Sequence, residues 1–209
     1  RSEAIDADVS KRLYSSGCRN MSYAPESGSI TVLTRIKKKI KLPIMLSSMR
    51  GSIRAGINCK ANIIIGFLGE THAEVWQTLW FCVRMALAGV HDMSISPYSP
   101  YPGSELFEQM RAKGRIAELT DRYFFSLASY TDITTTTSCS DAISDRALGR
   151  YRIWGMVLFY VMQYAMRPWR LIVTLRNVFS EVQESRLEMS LRDLVVRLKS
   201  HWSSRRAVS

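Results

Sequence analysis

Three short polar segments hold the residues of this 209-residue chain whose types and spacing could bind a small molecule. They are Tyr23–Ser29 (YAPESGS), Asn62–Thr71 (NIIIGFLGET) and Ser96–Phe107 (SPYSPYPGSELF). Each segment ends a short strand-like run and precedes a helix-like pattern, which is typical of the loop at the carboxyl end of a strand. In parallel α/β barrels these loops build the ligand site. The sequence therefore predicts one pocket with three successive walls.

The first wall offers a carboxylate, two hydroxyls and backbone amides. The Glu26 carboxylate could accept hydrogen bonds from ribose hydroxyls or from an ammonium group, and Ser27 stands beside it. Gly28 has no side chain, so the backbone there could approach a ligand closely. We predict all three as ligand contacts. A helix capping box or a surface turn is the alternative interpretation of the same residues.

The second and third walls are more apolar. In the second, Ile64, Gly66 and Phe67 stand at the end of an apolar strand. Glu70 lies near the start of the next helix, where a negative charge favours the helix dipole; ligand contact is the alternative. In the third, three prolines and one glycine within eight residues make the loop stiff. Tyr98, two residues before Pro100, adds a flat face with a polar tip and is a candidate for the substrate side.

These loops need strands beneath them and helices between them. The pattern predicts strands at Cys18–Ala24, Asn58–Gly66 and Asp92–Ser96. Strand and helix alternate, which favours parallel βαβ units with right-handed crossovers. The predicted fold is therefore α/β: the C-terminal half of a partial (β/α) TIM-like barrel, with about three parallel strands and their helices, followed by an α-helical tail.

Helical periodicity fills the remainder of the chain. One helix starts at Ile30 and stops at Pro43, and a second spans Leu46–Ala55. The tail is predicted as two helices, Ala147–Arg167 and Trp169–Ser200, separated at Pro168. A seam through Val157, Val161 and Tyr164 is expected to be buried. The predicted domains are 1–116 (barrel half), 117–144 (connector), 145–202 (helical extension) and 203–209 (disordered tail).

The three motifs together resemble the second half of a radical S-adenosylmethionine (SAM) barrel. The likeness is to the cobalamin-binding class related to the anaerobic magnesium-protoporphyrin IX monomethyl ester cyclase, and it covers roughly the first 115 residues. Leu68 departs from the family pattern IIGFPGET, in which proline stands at this position. The resemblance implies that SAM is bound by eight residues of the three loops: Glu26, Ser27, Gly28, Ile64, Gly66, Phe67, Tyr98 and Pro100.

Radical SAM enzymes hold a 4Fe–4S cluster on a CxxxCxxC motif, and this chain has none. Its cysteines, Cys18, Cys59, Cys82 and Cys139, are scattered, as buried structural cysteines often are. The chain begins at Arg1, so we interpret it as the C-terminal part of a longer protein, inactive alone. By resemblance, the cluster and cobalamin would be held by a missing N-terminal half, on the same polypeptide or a separate chain.

The resemblance also implies an activity for the intact protein. It would cleave SAM reductively, with ferredoxin or flavodoxin as reductant, and carry out radical chemistry, methyl transfer or cyclisation on a small molecule. Porphyrins and lipids are among the substrates of the resembling group. A degenerate pseudoenzyme is the alternative that Leu68 favours.

Composition leaves two other function classes open. The net charge is +11, and one dense basic cluster spans Arg35–Lys41. One alternative is a basic adaptor docked on anionic membrane through its arginine- and tryptophan-rich tail. The other is a nucleic-acid-modifying relative, disfavoured because no appended RNA-binding barrel is evident. No apolar run is long enough to cross a membrane. Four scattered cysteines and no leader with a charged-then-apolar pattern predict a cytoplasmic protein, with peripheral contact at the inner face of the membrane as the variant.

Overall fold

The computed structural model describes residues 5–116, 118–127, 136–180 and 185–206, with the backbone alone described at 122 and 198–206. Within these ranges the strands are β1 (Asn20–Glu26), β2 (Asn58–Ile65) and β3 (Asp92–Pro97). The helices are α1 (Ala7–Ser15), α2 (Ile30–Arg35), α3 (Leu42–Arg54), α4 (His72–Ala88), α5 (Glu105–Ala112), α6 (Asp121–Leu127), α7 (Asp145–Met166), α8 (Trp169–Val178) and α9 (Arg186–Arg206).

The three strands form one parallel sheet in the order β1-β2-β3. Asn20 pairs with Asn58 at one end of β1, and Glu26 pairs with Ile63 at the other, after a bulge. Lys60 pairs with Asp92 where β3 begins. Helices connect successive strands, and a helical tail follows. The predicted fold class, a partial β/α unit with a helical tail, is therefore confirmed.

One face of the sheet packs into the hydrophobic core. Burial alternates along β2, so Cys59, Ala61, Ile63 and Ile65 point toward the helices. They pack with residues of α3, α4 and α7, among them Met49, Leu79 and Phe159. A β-branched run suits a strand buried in this way.

The opposite face of the sheet is polar. Asn62 is exposed at its centre; its Nδ2 donates to Ser22 Oγ at 3.1 Å, and its Oδ1 accepts from Ser94 Oγ at 2.8 Å. These bonds join all three strands across the surface. A packed TIM-barrel interior consists mainly of branched apolar side chains, and these three positions of the sheet are polar instead.

Several predicted boundaries are wrong, for local reasons. Pro43 does not stop a helix; it occupies the first turn of α3, where its missing N–H leaves no intrahelical bond unmade. Strand β1 continues two residues beyond the predicted end, through Pro25 and Glu26. The predicted single helix Trp169–Ser200 is two helices, because α8 ends at Val178 and α9 starts at Arg186.

Ser144 is the N-cap of helix α7, because its side chain accepts a hydrogen bond from Ala147 N. The helix packs against α4 and β3. The break near Pro168 is confirmed. The predicted buried seam is wrong at Val157 and Val161, which are 44% and 57% exposed, whereas Tyr164 is half-buried against the core. The buried stripe instead contains two polar residues, Arg152 and Gln163, beside Leu148 and Phe159.

The domain boundaries remain predictions. Helix α6 lies inside the proposed connector 117–144, and α9 continues to Arg206, four residues into the proposed tail. Residues 207–209 lie outside the described part of the chain. Across the described ranges, no helix combines the length and the apolar content needed to span a membrane.

Candidate functional site

Glu26 ends β1 in a conformation that is unusual for its type. Its φ is +66°, in the left-handed region where a residue with a side chain is strained. A bulge between Tyr23 and Glu26 accompanies it. The carboxylate forms an ion pair with Lys38, which is 30% exposed. The backbone therefore holds a charged, partly exposed side chain at the strand end, at a conformational cost of about 1 kcal/mol or more.

Ser27 and Gly28 turn toward helix α4. Ser27 is buried, and its Oγ lies 3.0 Å from Thr78 Oγ1 and accepts from Ser29 N at 3.1 Å. Gly28 N donates to Thr78 Oγ1 at 3.1 Å. A β-carbon on Gly28 would lie 2.5 Å from Phe81 Cβ. These residues close the gap between the loop and α4, so the structure gives them a packing role.

The second wall is covered by residues just before α7 and in its first turn. Gly66 has φ +85°, and a β-carbon there would lie 2.5 Å from Leu148 Cδ2. The Gly66 carbonyl accepts from Cys139 N at 3.2 Å. Ser140 Oγ donates to the Glu70 carbonyl at 2.6 Å. Ile64 is half-buried on the polar face of the sheet.

The Glu70 carboxylate fixes the backbone of this loop through hydrogen bonds. Its Oε2 accepts from Gly66 N at 2.5 Å and from Phe67 N at 3.1 Å. Its Oε1 is buried without a hydrogen-bond partner among the described residues. Burial raises the pKa of Glu70 to about 7; the two backbone N–H groups lower it, Glu74 raises it and Arg35 lowers it. The helix-dipole interpretation is therefore incomplete, because Glu70 fixes the loop itself.

The third wall meets the second through aromatic rings. The rings of Phe67 and Tyr98 have centroids 4.9 Å apart, and Tyr98 is half-buried. Pro100 is buried, and its carbonyl accepts from the Tyr123 hydroxyl of α6. Cys139 Sγ lies 3.7 Å from the Tyr98 carbonyl, so residue 139 spans the ends of β2 and β3.

The structure therefore places the eight predicted residues in two groups. Contacts within the protein occupy the first group, which is Ser27, Gly28, Gly66, Phe67 and Pro100; Phe67 is only 3% exposed. The second group lies at the carboxyl edge of the sheet and consists of Glu26, Ile64 and Tyr98, whose side chains are each partly exposed. This second group is the candidate binding surface.

Sequence reasoning missed two residues at this edge. Arg152 of α7 is 2% exposed, and it donates from Nε to the Ile95 carbonyl at 3.2 Å. No signal in the sequence marks this arginine as buried. Lys38, the partner of Glu26, lies in the basic cluster. That cluster is largely ion-paired: Arg35 bonds Glu74 at 3.0 Å and Lys37 bonds Glu105 at 2.6 Å.

The cysteines are consistent with structural roles. Cys59, Cys82 and Cys139 are buried, and burial raises the pKa of Cys59 and Cys82 to about 12 and that of Cys139 to about 11. Within the described part of the chain, no group of three His, Cys, Asp or Glu side chains is arranged to hold a metal ion. Where an iron–sulfur cluster or cobalamin would bind stays a prediction.

Comparison with known proteins gives one informative similarity. An uncharacterized methyltransferase of Pyrococcus horikoshii is 24% identical to this chain over 127 residues. The match covers 61% of this chain and 27% of that protein, so the chain spans little more than a quarter of its relative's length. No family profile matches the chain.

Proposed function

We propose that this chain forms one wall of the SAM site of a SAM-dependent enzyme of the radical SAM type, acting in methyl transfer. The observation that carries the proposal is Glu26: a carboxylate held at a strand end by a strained backbone and a lysine. Glycine would adopt this φ without strain. A glutamate at this position is therefore consistent with a functional role for its carboxylate. The similarity to a protein named as a methyltransferase supports the methyl-transfer part of the proposal.

The residues at this edge fit SAM in part. When bound, SAM supplies an activated methyl group. Glu26 would accept hydrogen bonds from its ribose hydroxyls or its ammonium group, and the partly exposed Tyr98 would offer a flat face to its adenine ring. In this proposal, the remaining walls, a 4Fe–4S cluster and any cobalamin belong to a second barrel half outside this chain.

The test is the affinity for SAM of this chain joined to that barrel half. Losing one charge-assisted hydrogen bond costs about 1.5–3 kcal/mol, which is roughly 10- to 150-fold in affinity. Glu26→Ala should weaken SAM binding in calorimetry by that factor. Asp8→Ala is the matched control, because it removes an exposed, ion-paired carboxylate in α1. Equal affinity of wild type and Glu26→Ala would remove Glu26 from the site.

A second candidate function, peripheral membrane attachment, is favoured by helix α8. Trp169 and Ile172 on its outer face are 59% and 71% exposed, and Phe179, the residue just after its end, is 73% exposed. Residues 145–206 carry twelve Lys or Arg against five Asp or Glu. An apolar helix face beside basic residues is typical of helices that lie in the interface of anionic bilayers.

Vesicle flotation distinguishes this candidate. Wild-type protein should float with vesicles containing phosphatidylglycerol. Ile172→Glu should reduce the bound fraction about tenfold, because it replaces an apolar side chain that would enter the bilayer with a negative charge. Ile30→Glu is the matched control, since Ile30 is 74% exposed on α2, outside the tail. Equal flotation of both variants would exclude α8 as the attachment.

A further inference from the structure

A cavity lies at the opposite end of the sheet from the loops described above. Its volume is about 280 Å³. The floor is the amino end of the sheet, with Lys60 of β2 and His91 just before β3. Helices α7, α8 and the start of α9 form the walls, including Trp169 and Val173. The cavity therefore exists only where the helical tail meets the sheet.

Lys60 and His91 both carry hydrogen-bond donors and both line this cavity. Lys60 is half-buried and forms no hydrogen bond or ion pair with any described residue. His91 Nδ1 accepts from Cys59 N at 3.1 Å, so the proton of the neutral ring lies on Nε2. Burial lowers the pKa of His91 to about 4, with Arg170 and Arg167 adding to the shift, so the ring is neutral at pH 7.

The charges facing the cavity are positive on balance. Arg170 donates to the carbonyls of Gly89 and Val90 at 3.0 and 3.2 Å. Glu188 also lines the cavity, but its two oxygens accept from Asn177 Nδ2 and Ser185 N, each at 3.2 Å. A partly buried, unpaired ammonium is costly unless an anion meets it.

We propose that this cavity binds a small organic oxyanion, a carboxylate or a phosphate. Its oxygens accept from Lys60 and His91, and its carbon body packs on Trp169 and Val173. The size suits one small molecule. Because the cavity lies at the amino ends of the strands, this site is separate from the proposed SAM site and does not depend on it. A ligand here bridges the sheet and the tail, and so fixes the tail in place.

Calorimetric titration with benzoate and with phenyl phosphate tests this site. We expect saturable binding of at least one probe, and the stronger probe identifies the group as carboxylate or phosphate. Lys60→Met should weaken binding roughly 10- to 100-fold, because it removes one charge-assisted hydrogen bond. Lys60→Arg should retain binding. Lys39→Met, an equal charge change at an exposed lysine, should leave binding unchanged.

A second measurement addresses the tail. Amide exchange across Trp169–Val178 should slow when the stronger probe is present, since α8 is one wall of the cavity. Absence of binding of both probes at a concentration of about 10 mM, well above the millimolar Kd of a weak ligand, would overturn the proposal. Unchanged affinity in a folded Lys60→Met protein would overturn it as well. Melting temperatures of each variant establish that the comparison is between folded proteins.

Discussion

We expect the change that Glu70→Gln makes in the free energy of unfolding to be about 3 kcal/mol more favourable at pH 8 than at pH 4. Burial raises the pKa of Glu70 from 4.5 to about 7 in the folded protein. A carboxyl group with a raised folded pKa contributes its full stability below pH 4.5 and loses that stability as the pH rises through 7. Glutamine does not ionise, so the variant lacks this loss. A shift from 4.5 to about 7 corresponds to about 3 kcal/mol.

Glutamine also preserves the loop geometry, because its carbonyl oxygen can accept from Gly66 N and Phe67 N as Glu70 Oε2 does. Any cost of placing its amide where Oε1 has no partner among the described residues is the same at every pH. The measurement is urea unfolding of both proteins across pH 4–8. A difference between them that does not vary with pH would show that the carboxylate is stably ionised in the fold.

Glu74→Gln provides a control of opposite sign. Burial acts to raise the pKa of Glu74, but hydrogen bonds from Thr71 and Arg35 outweigh burial and lower it. A lowered folded pKa contributes stability above the unfolded pKa, and this is lost as the pH falls. Glu74→Gln should therefore cost more stability at neutral pH than under acid conditions.

Gly28→Ala should destabilise the fold by about 3 kcal/mol. The added β-carbon would lie 2.5 Å from Phe81 Cβ and 2.8 Å from both Gln77 O and Thr78 Cα. Two of these atoms belong to the backbone of α4, so a rotamer change cannot relieve the clash and the loop and helix must separate. Chemical denaturation of the two proteins measures the loss.

Gly149→Ala is the matched glycine substitution. Gly149 lies in helix α7, and among the described residues a β-carbon there would meet only Thr136 side-chain atoms, at 3.7 and 3.8 Å. Alanine favours helix over glycine, so this variant should gain about 0.5–1 kcal/mol. If Gly28 instead serves ligand approach, Gly28→Ala would keep wild-type stability and lose only affinity for SAM.

Local patterns were sufficient to predict most of the fold. The β-branched run Ile63–Ile65 lies in the predicted strand that became β2. Thr71 and Glu74 form a capping box at the start of α4, a local signal that was not used in the prediction. The tail was harder. The buried stripe of α7 includes Arg152 and Gln163, whose side chains satisfy backbone carbonyls of Ile95, Val90 and His91. Helical spacing of apolar residues does not identify a buried face that contains an arginine and a glutamine. The prediction therefore placed Val157 and Val161 in the core, where they do not lie.

The candidate site was predictable only to the level of the loops. All three predicted walls lie at one edge of the sheet, because parallel strands bring their carboxyl ends together. The packing partners of the glycines and serines in these loops were not predictable. A glycine that admits a ligand and one that admits a helix look alike in sequence, and at Gly28 the structure shows Phe81 and Thr78 in that space. Such contacts join residues far apart in the chain, so no local pattern records them.

The left-handed backbone at Glu26 has a consequence for directed evolution of this chain. A library screened for thermal stability alone would enrich glycine at position 26, because glycine relieves the strain at φ +66°. A library screened for ligand capture would retain the acidic side chain. Comparing the residue enriched under the two regimes separates selection on the fold from selection on binding, and it does so before the ligand itself has been identified.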